Sequence, residues 1–272
     1  MSDWFIKLRF INRGQSIIIT CLFFALLFFV YIGISIGSFD ISLYEYFFGN
    51  TNELKNKVFE QIRLPRVILA GLVGASLAIS GASLQGLFRN PLADPGLIGV
   101  SAGAALGATL IIVLGSSFVP DYIFGPLILP LSAILGSALV IYLLYLFTKG
   151  FGYRGVTYML LVGIAVNALA SVGIGVLTFI STDSELRGLT FWTMGSFGAA
   201  NWTLVVPAII VIIPTCLWLL SSSRKLDLLQ LGEPEAERLG VDVKKLKFKV
   251  IISSAVVVGV SVSLSGMIGF VG

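Results

Sequence analysis

Histidine is absent from the 272 residues, and there are only two cysteines, Cys21 and Cys216. The first absence excludes a histidine-based catalytic triad and any histidine-ligated metal within the chain. The second excludes a disulfide-built secreted module; both cysteines lie inside apolar runs and read as packed helix residues. Charge is scarce as well. Asp, Glu, Lys and Arg make up 12% of the sequence, about half of what soluble domains carry. Hydrophobic residues fill 57%, and the mean hydropathy is +0.99. No soluble core buries so many long apolar runs, so the composition calls for an all-α polytopic membrane protein. The net charge of +4, from 18 basic and 14 acidic residues, then reads as a topological signal and not as a nucleic-acid footprint.

Seven apolar runs stand out, at about 16–37, 64–88, 92–114, 122–147, 156–180, 202–220 and 248–271. Each approaches the roughly 20 residues that cross about 30 Å of hydrocarbon as helix. The first follows Lys7, Arg9 and Arg13, in the order of a signal peptide. It is long and lacks a small-residue cleavage site, so a retained helix is expected. With the N-terminus inside, only Lys55, Lys57, Arg63, Arg66 and Arg187 of the 18 basic residues fall outside. That bias predicts a cytoplasmic N-terminus. The last run stops on "GMIGFVG" with no closing basic segment, which reads as an incomplete chain.

The 30 glycines cluster inside the spans, as in "GLVGASLAISGASLQG" (71–86) and "GVSAGAALGA" (99–108). Gly99, Gly103 and Gly107 recur every four residues, the spacing that lets helix backbones approach closely in lipid. The same smooth faces would suit sliding, and the sequence leaves both uses open. Gln85 and Asn167 are polar at or near span depth, so each should find a partner, as interhelical glue or along a translocation path. Deep ionisable residues are lacking, which argues against an ion-coupled carrier.

Two inner loops carry more. "RNPLADPGLIG" (89–99) offers Arg89 and Asp94 as an ion pair, with Asn90, Pro91 and Pro95 in a rigid turn. "LDLLQLGEPEAERLGVDVKKLK" (226–247) contains a short helix, Glu233 to Leu239. Glu233 and Glu235 stand at its start, Arg238 near its end, and Gly240 stops it. Ala236 and Leu239 offer it a small apolar face. A solvated loop and a docking helix for a cytoplasmic partner both remain open. On the outer side, Tyr44, Tyr46, Phe47 and Phe48 suit the membrane interface. Segment 181–202, with Asp183, Glu185, Arg187, Trp192 and Trp202, suits either a re-entrant helix or a tryptophan-anchored loop.

Four ordered blocks then resemble the permease family of binding-protein-dependent ABC importers for iron-siderophores, haem and vitamin B12. They are "RLPRVILAGLVGASLAISGASLQGLFRNPLADPGLIGVSAGAALGA" (63–108), "FWTMGSFGAANW" (191–202), "LGEPEAERLGV" (231–241) and "SGMIGFVG" (265–272). The resemblance implies a single permease domain over 1–272. Family members have ten helices per subunit, so the chain would be a shortened form. It also implies a homodimer, two cytoplasmic ATPase subunits and an extracytoplasmic binding protein. Loop 226–247 would then hold the coupling helix, with Glu233, Glu235, Ala236, Arg238, Leu239 and Gly240 engaging the ATPase. Lys55, Lys57 and Arg63 would dock the binding protein. Gln85, Asn167 and Arg187 become translocation-path candidates.

No cofactor or metal is expected to be resident, and the chain is not expected to be an enzyme. It has no Gly-rich phosphate loop ending in Lys-Ser or Lys-Thr, so ATP would act through the partner ATPase. Within the family, "LTFISTDSELRGLTFWTMGS" (177–196) looks most like the haem transporters, with Arg187 facing a propionate or pairing with Asp183 or Glu185. A ferric siderophore is the alternative cargo and cobalamin the third. From a different class, a seven-helix receptor or scaffold fits the charge bias equally well.

Overall fold

The computed structural model describes residues 13–37, 46, 49, 53–118, 127–148 and 156–268. Lys7, Arg9, Tyr44, Phe47, Phe48 and the closing 269–272, all weighed above, lie outside the described residues. The described elements are helical throughout: α1 (Arg13–Ser35), α2 (Glu53–Val58), a π-helical stretch (Phe59–Arg63), α3 (Leu64–Phe88), a 3-10 turn (Pro95–Ile98), α4 (Val100–Phe118), α5 (Ile128–Phe147) and α6 (Val156–Ile180). They continue with α7 (Asp183–Met194), α8 (Trp202–Leu220), α9 (Ser223–Leu229), α10 (Glu233–Arg238) and α11 (Val243–Ser265). Among the described residues six helical stretches are long and apolar enough to cross a bilayer. The seventh expected span is α4, whose apolar stretch Val100–Gly115 reaches only about 24 Å.

Two span boundaries differ from expectation, each for a local reason. The third run does not become helical at Leu92. Pro95 opens a 3-10 turn capped by Asp94, and Gly99 at φ +86° closes it, so α4 starts at Val100. The seventh starts earlier than 248. Asp242 caps α11 by accepting the Lys245 N–H at 2.9 Å, which draws Lys244, Lys245 and Lys247 into the helix. That backbone hydrogen bond, followed by the contact of the two side chains, holds the Asp242 carboxyl below its ordinary value.

The chain divides into two compact units, 1–67 and 68–272. In the first, α1 exposes apolar side chains all round, as a lipid-facing helix does. Arg63, at the end of the π-helical stretch, is buried and donates from Nη1 to the carbonyls of Ile34 (2.6 Å) and Ser35 (2.9 Å). These are orphan acceptors at the C-terminus of α1, and the guanidinium also complements the helix dipole there. Tyr46 donates its hydroxyl to Glu60 at 2.7 Å, a bond that raises the phenol's pKa.

In the second unit, α11 is the central helix, with 72% of its most apolar window buried. It packs against α4, α5 and α8. Of its serines, Ser261 bonds the Val257 carbonyl and shares a 2.7 Å bond with Ser76 of α3, whereas the buried hydroxyls of Ser253 and Ser254 have no hydrogen-bond partner among the described residues. Helices α4 and α5 touch backbone to backbone. A methyl group at Gly103 would lie 2.6 Å from the Gly136 carbonyl oxygen, and one at Gly107 would collide with the Ser132 carbonyl. The four-residue spacing of small side chains therefore serves close packing in this structure.

Candidate functional site

The loop joining α8 to α11 is an ordered piece of structure. Leu226 and Leu229 of α9 are buried, and Gln230 donates from Nε2 to the Gly86 carbonyl of α3 at 2.7 Å. That bond places the C-terminus of α3 and the loop 221–242 at the same end of the bundle. Gly232, at φ +122°, turns the chain into α10, and Pro234 sits in the first turn, where its missing N–H costs nothing. The other end of α10 closes with a pair of reciprocal hydrogen bonds, Gly240 N–H to Glu237 and Val241 N–H to Ala236. This is the Schellman arrangement, and its left-handed residue is Gly240 at φ +86°.

The helix has two distinct sides. Ala236 is fully buried and inserts into the core cluster beside Val241 and Val243. Glu233 turns inward, its Oε2 receiving the Lys247 Nζ of α11 at 2.8 Å. The Lys247 side chain is only 2% exposed and the Glu233 side chain 26%. Glu235, Arg238, Leu239 and Gly240 are exposed, with Leu231 beside them. So of the six sequence candidates four face out, while Ala236 and Glu233 hold the helix to the bundle.

The second loop lies next to it. Arg89 adopts φ +51°, and the Asn90 N–H returns to the Gln85 carbonyl, ending α3. Asn90 accepts the Leu92 N–H on its side chain at 2.9 Å, an Asx turn around Pro91. The expected pairing of Arg89 with Asp94 is not what forms: among the described residues no ion pair joins them. Asp94 instead accepts the Gly96 N–H at 2.7 Å and caps the 3-10 turn that begins at Pro95. Asn167 of α6 donates to the Gly96 carbonyl at 3.0 Å. This is the glue role, and it holds the turn against α6 where Gly163 lets the backbones meet. Gln85 is half-buried.

Arg187 is exposed on α7, and among the described residues no ion pair joins it to Asp183 or Glu185. Glu185 is engaged in a capping box with Thr182, which explains why an amphipathic 12-residue helix forms between two spans. The C-terminus of α7 meets the C-terminus of α11: Ser196 N–H donates to the Ser265 carbonyl at 2.7 Å, and Gly195 and Gly266 are in direct backbone contact. Both glycines have positive φ, so neither the backbone angle nor the space admits a side chain. A cavity of about 430 Å³ opens beside this junction, lined in part by Phe191, Trp192, Ser196 and Ser265; Arg187 is not among its lining residues.

Of the outer charges, Lys57 is exposed and pairs with Glu53 one turn away at 2.8 Å, while Lys55 is half-exposed. Arg63 was expected at an outer docking surface. The structure buries it as the cap of α1 instead, because two free carbonyls there need donors. Sequence reasoning also missed Lys247, counted there as a loop charge. A signal for it existed: Val243, Lys247 and Val250 recur at i, i+4 and i+7, one face of a helix.

These features define a polytopic helical membrane protein that presents a capped, outward-facing short helix between two spans. The chain belongs to the FecCD transport family, whose model matches residues 25–272. It is 42% identical over 239 residues to the Hemin transport system permease protein HmuU of Yersinia pestis, covering 88% of this chain and 70% of that protein. It is 38% identical over 225 residues to the vitamin B12 import system permease protein BtuC of Vibrio parahaemolyticus, covering 83% and 66%. A BtuC of Klebsiella pneumoniae is 38% identical over 212 residues, covering 78% of this chain and 62% of that protein. A solved structure, an ABC transporter assigned to the metal-chelate type in an inward-facing conformation, superposes with a TM-score of 0.81 at 35% identity. The match covers 93% of this chain and 77% of that one. The chain thus spans about two thirds of the length of these curated relatives.

Proposed function

We propose that this chain is the permease subunit of an ATP-driven importer that carries haem across a bacterial plasma or inner membrane, with its N-terminus in the cytoplasm. The observation that carries the reading is α10. A six-residue helix capped at its C-terminus, anchored on one side and bare on the other, is a docking element at one end of the bundle. Glu235, Arg238, Leu239 and Gly240 are its contact surface for the ATPase. Ala236 and Glu233 set its position. The inner concentration of basic residues supports a cytoplasmic setting for this loop.

In this reading a second copy of the chain completes the pathway and two ATPase subunits hydrolyse ATP on its behalf, so no cofactor is bound permanently. An extracytoplasmic binding protein delivers cargo against Lys55 and Lys57. Haem is favoured by the identity to a hemin permease. The exposed Arg187 offers a cation to a propionate, and Gln85 and Asn167 are polar groups along the bundle. Likeness to vitamin B12 permeases supports cobalamin as a second cargo, and likeness to a metal-chelate transporter supports a ferric siderophore.

The test is uptake in cells that lack an endogenous importer, expressing the chain with its ATPase and binding protein. Saturable uptake of labelled haem that stops when the ATPase is inactivated is the expected result. Uptake of cobalamin or a ferric siderophore in place of haem would keep the permease reading and reject the cargo.

A further inference from the structure

Lys247 is the largest fully buried side chain in the described protein and the only charged one among them. Removing an ammonium from water is costly, and one carboxylate at 2.8 Å offsets that cost only when geometry is good. A methionine or leucine would fill the same space on α11, where Val243, Leu246 and Val250 flank it, without that cost. Stability alone therefore does not explain the ion pair. What it does accomplish is geometric. Glu233 is the first residue of α10, and Lys247 stands one turn into α11. The pair ties the start of the docking helix to the start of the central helix across the connecting segment 239–242.

Two further contacts act in the same direction. Ala236 is plugged into the core, and Gln230 is bonded to the Gly86 carbonyl at the end of α3. The short helix is thus held at its start, its middle and its approach, while its outward residues remain bare. Helix α11 in turn runs 23 residues, about 34 Å and largely buried, to Gly266, where it meets the C-terminus of α7.

We infer that the Glu233–Lys247 pair is an internal strut, which makes α10 and α11 move as one body, and that Lys247 is a positioning residue for energy coupling. Glu233 in this account is not read by the ATPase; Glu235, Arg238 and Leu239 are. The inference rests on the permease reading proposed above. It assigns a role to Lys247 through Glu233, and neither residue needs to touch nucleotide or cargo.

Charge exchange separates an internal strut from a surface contact. The complex of chain, ATPase and binding protein is reconstituted in proteoliposomes, with haem, cobalamin and a ferric siderophore run as separate probes. Two quantities are read: retention of the ATPase on the purified chain, and probe taken up per ATP hydrolysed. Glu233→Lys and Lys247→Glu each leave a like-charge pair inside and should lower uptake per ATP by about tenfold or more. The double exchange should bring it back to within about threefold of wild type, with the ATPase retained. If the double exchange retains the ATPase and stays uncoupled, Glu233 is a surface contact and the inference is overturned. Normal uptake per ATP in either single variant overturns it as well.

Because exchanged charges can prevent folding, Glu233→Gln combined with Lys247→Met supplies a second arm. This pair removes both charges at similar volume and should assemble normally. A strut predicts reduced uptake per ATP at unchanged ATPase retention, and an unchanged ratio refutes it. A wild-type chain that neither retains an ATPase nor moves any probe would instead refute the permease reading, a result distinct from all the above.

Discussion

Substituting glycine by alanine should change sign according to where the glycine stands. Gly136 of α5 and Gly107 of α4 lie on the seam where two backbones touch, and a Cβ at either would meet a carbonyl group of the facing helix. The neighbouring Gly103 gives the scale. Its Cβ would lie 2.6 Å from the Gly136 oxygen, against about 3.4 Å for ordinary contact, so the helices would separate by about 0.8 Å. That separation also stretches the 3.2 Å bond from Ser137 Oγ to the Val100 carbonyl. Overpacking of this kind costs about 1–3 kcal/mol. Gly71 of α3 and Gly175 of α6 have nothing within 4 Å of a built Cβ. There alanine should stabilise by about 0.5–1 kcal/mol, through helix propensity alone.

The assay is denaturant unfolding of the purified chain in detergent, followed by tryptophan fluorescence, with all four variants at one detergent concentration. Because Gly107 and Gly136 widen one seam, the double variant should lose less than the two single losses added together. Should Gly136→Ala prove as stable as Gly71→Ala, the close packing of α4 on α5 described above would be wrong.

Asn167→Ala frees the Gly96 carbonyl and should cost about 0.6 kcal/mol, up to about 1.7, in the same unfolding assay; no loss would show that Asn167 is not holding the 3-10 turn. Arg63→Met leaves the Ile34 and Ser35 carbonyls without their donor and should destabilise the chain by about 1–3 kcal/mol, while a binding-protein contact at Arg63 would show instead as weakened docking at normal stability. Arg238→Glu and Leu239→Asp together should abolish co-purification of the ATPase yet leave membrane insertion intact, as judged by protease protection. Asp242 contributes through a carboxyl whose pKa is depressed in the folded state. Its contribution is therefore present above the ordinary value of 3.8 and is lost as pH falls through the lower, folded value. Asp242→Asn should flatten the acid limb of the stability profile below about pH 4 and leave neutral pH little changed.

Membrane residence, the helical class and the approximate spans were legible in the sequence because they are local. Run length against bilayer thickness and the scarcity of charge decide them without knowing any partner. The end of α10 was legible for the same reason, since Gly240 acts on backbone within a few residues of itself; the caps at Thr182 with Glu185 and at Asp242 are just as local, yet they emerged only in the structure. The ordered blocks also sufficed to place the chain in its family. Tertiary structure alone decided which polar group meets which. Ser76 and Ser261 are 185 positions apart, and Asn167 and Gly96 are 71. Asp94 chose its own turn over Arg89, and Arg63 chose the end of α1 over solvent. Lys247 went inward to Glu233, where charge counting had put it in a loop. Apart from Lys247, whose helical face the sequence does show, the physical reason is common. These helices are apolar on every side, so no amphipathic stripe tells which face turns inward, and only the packed bundle sets the rotation and register that bring distant polar atoms within 3 Å.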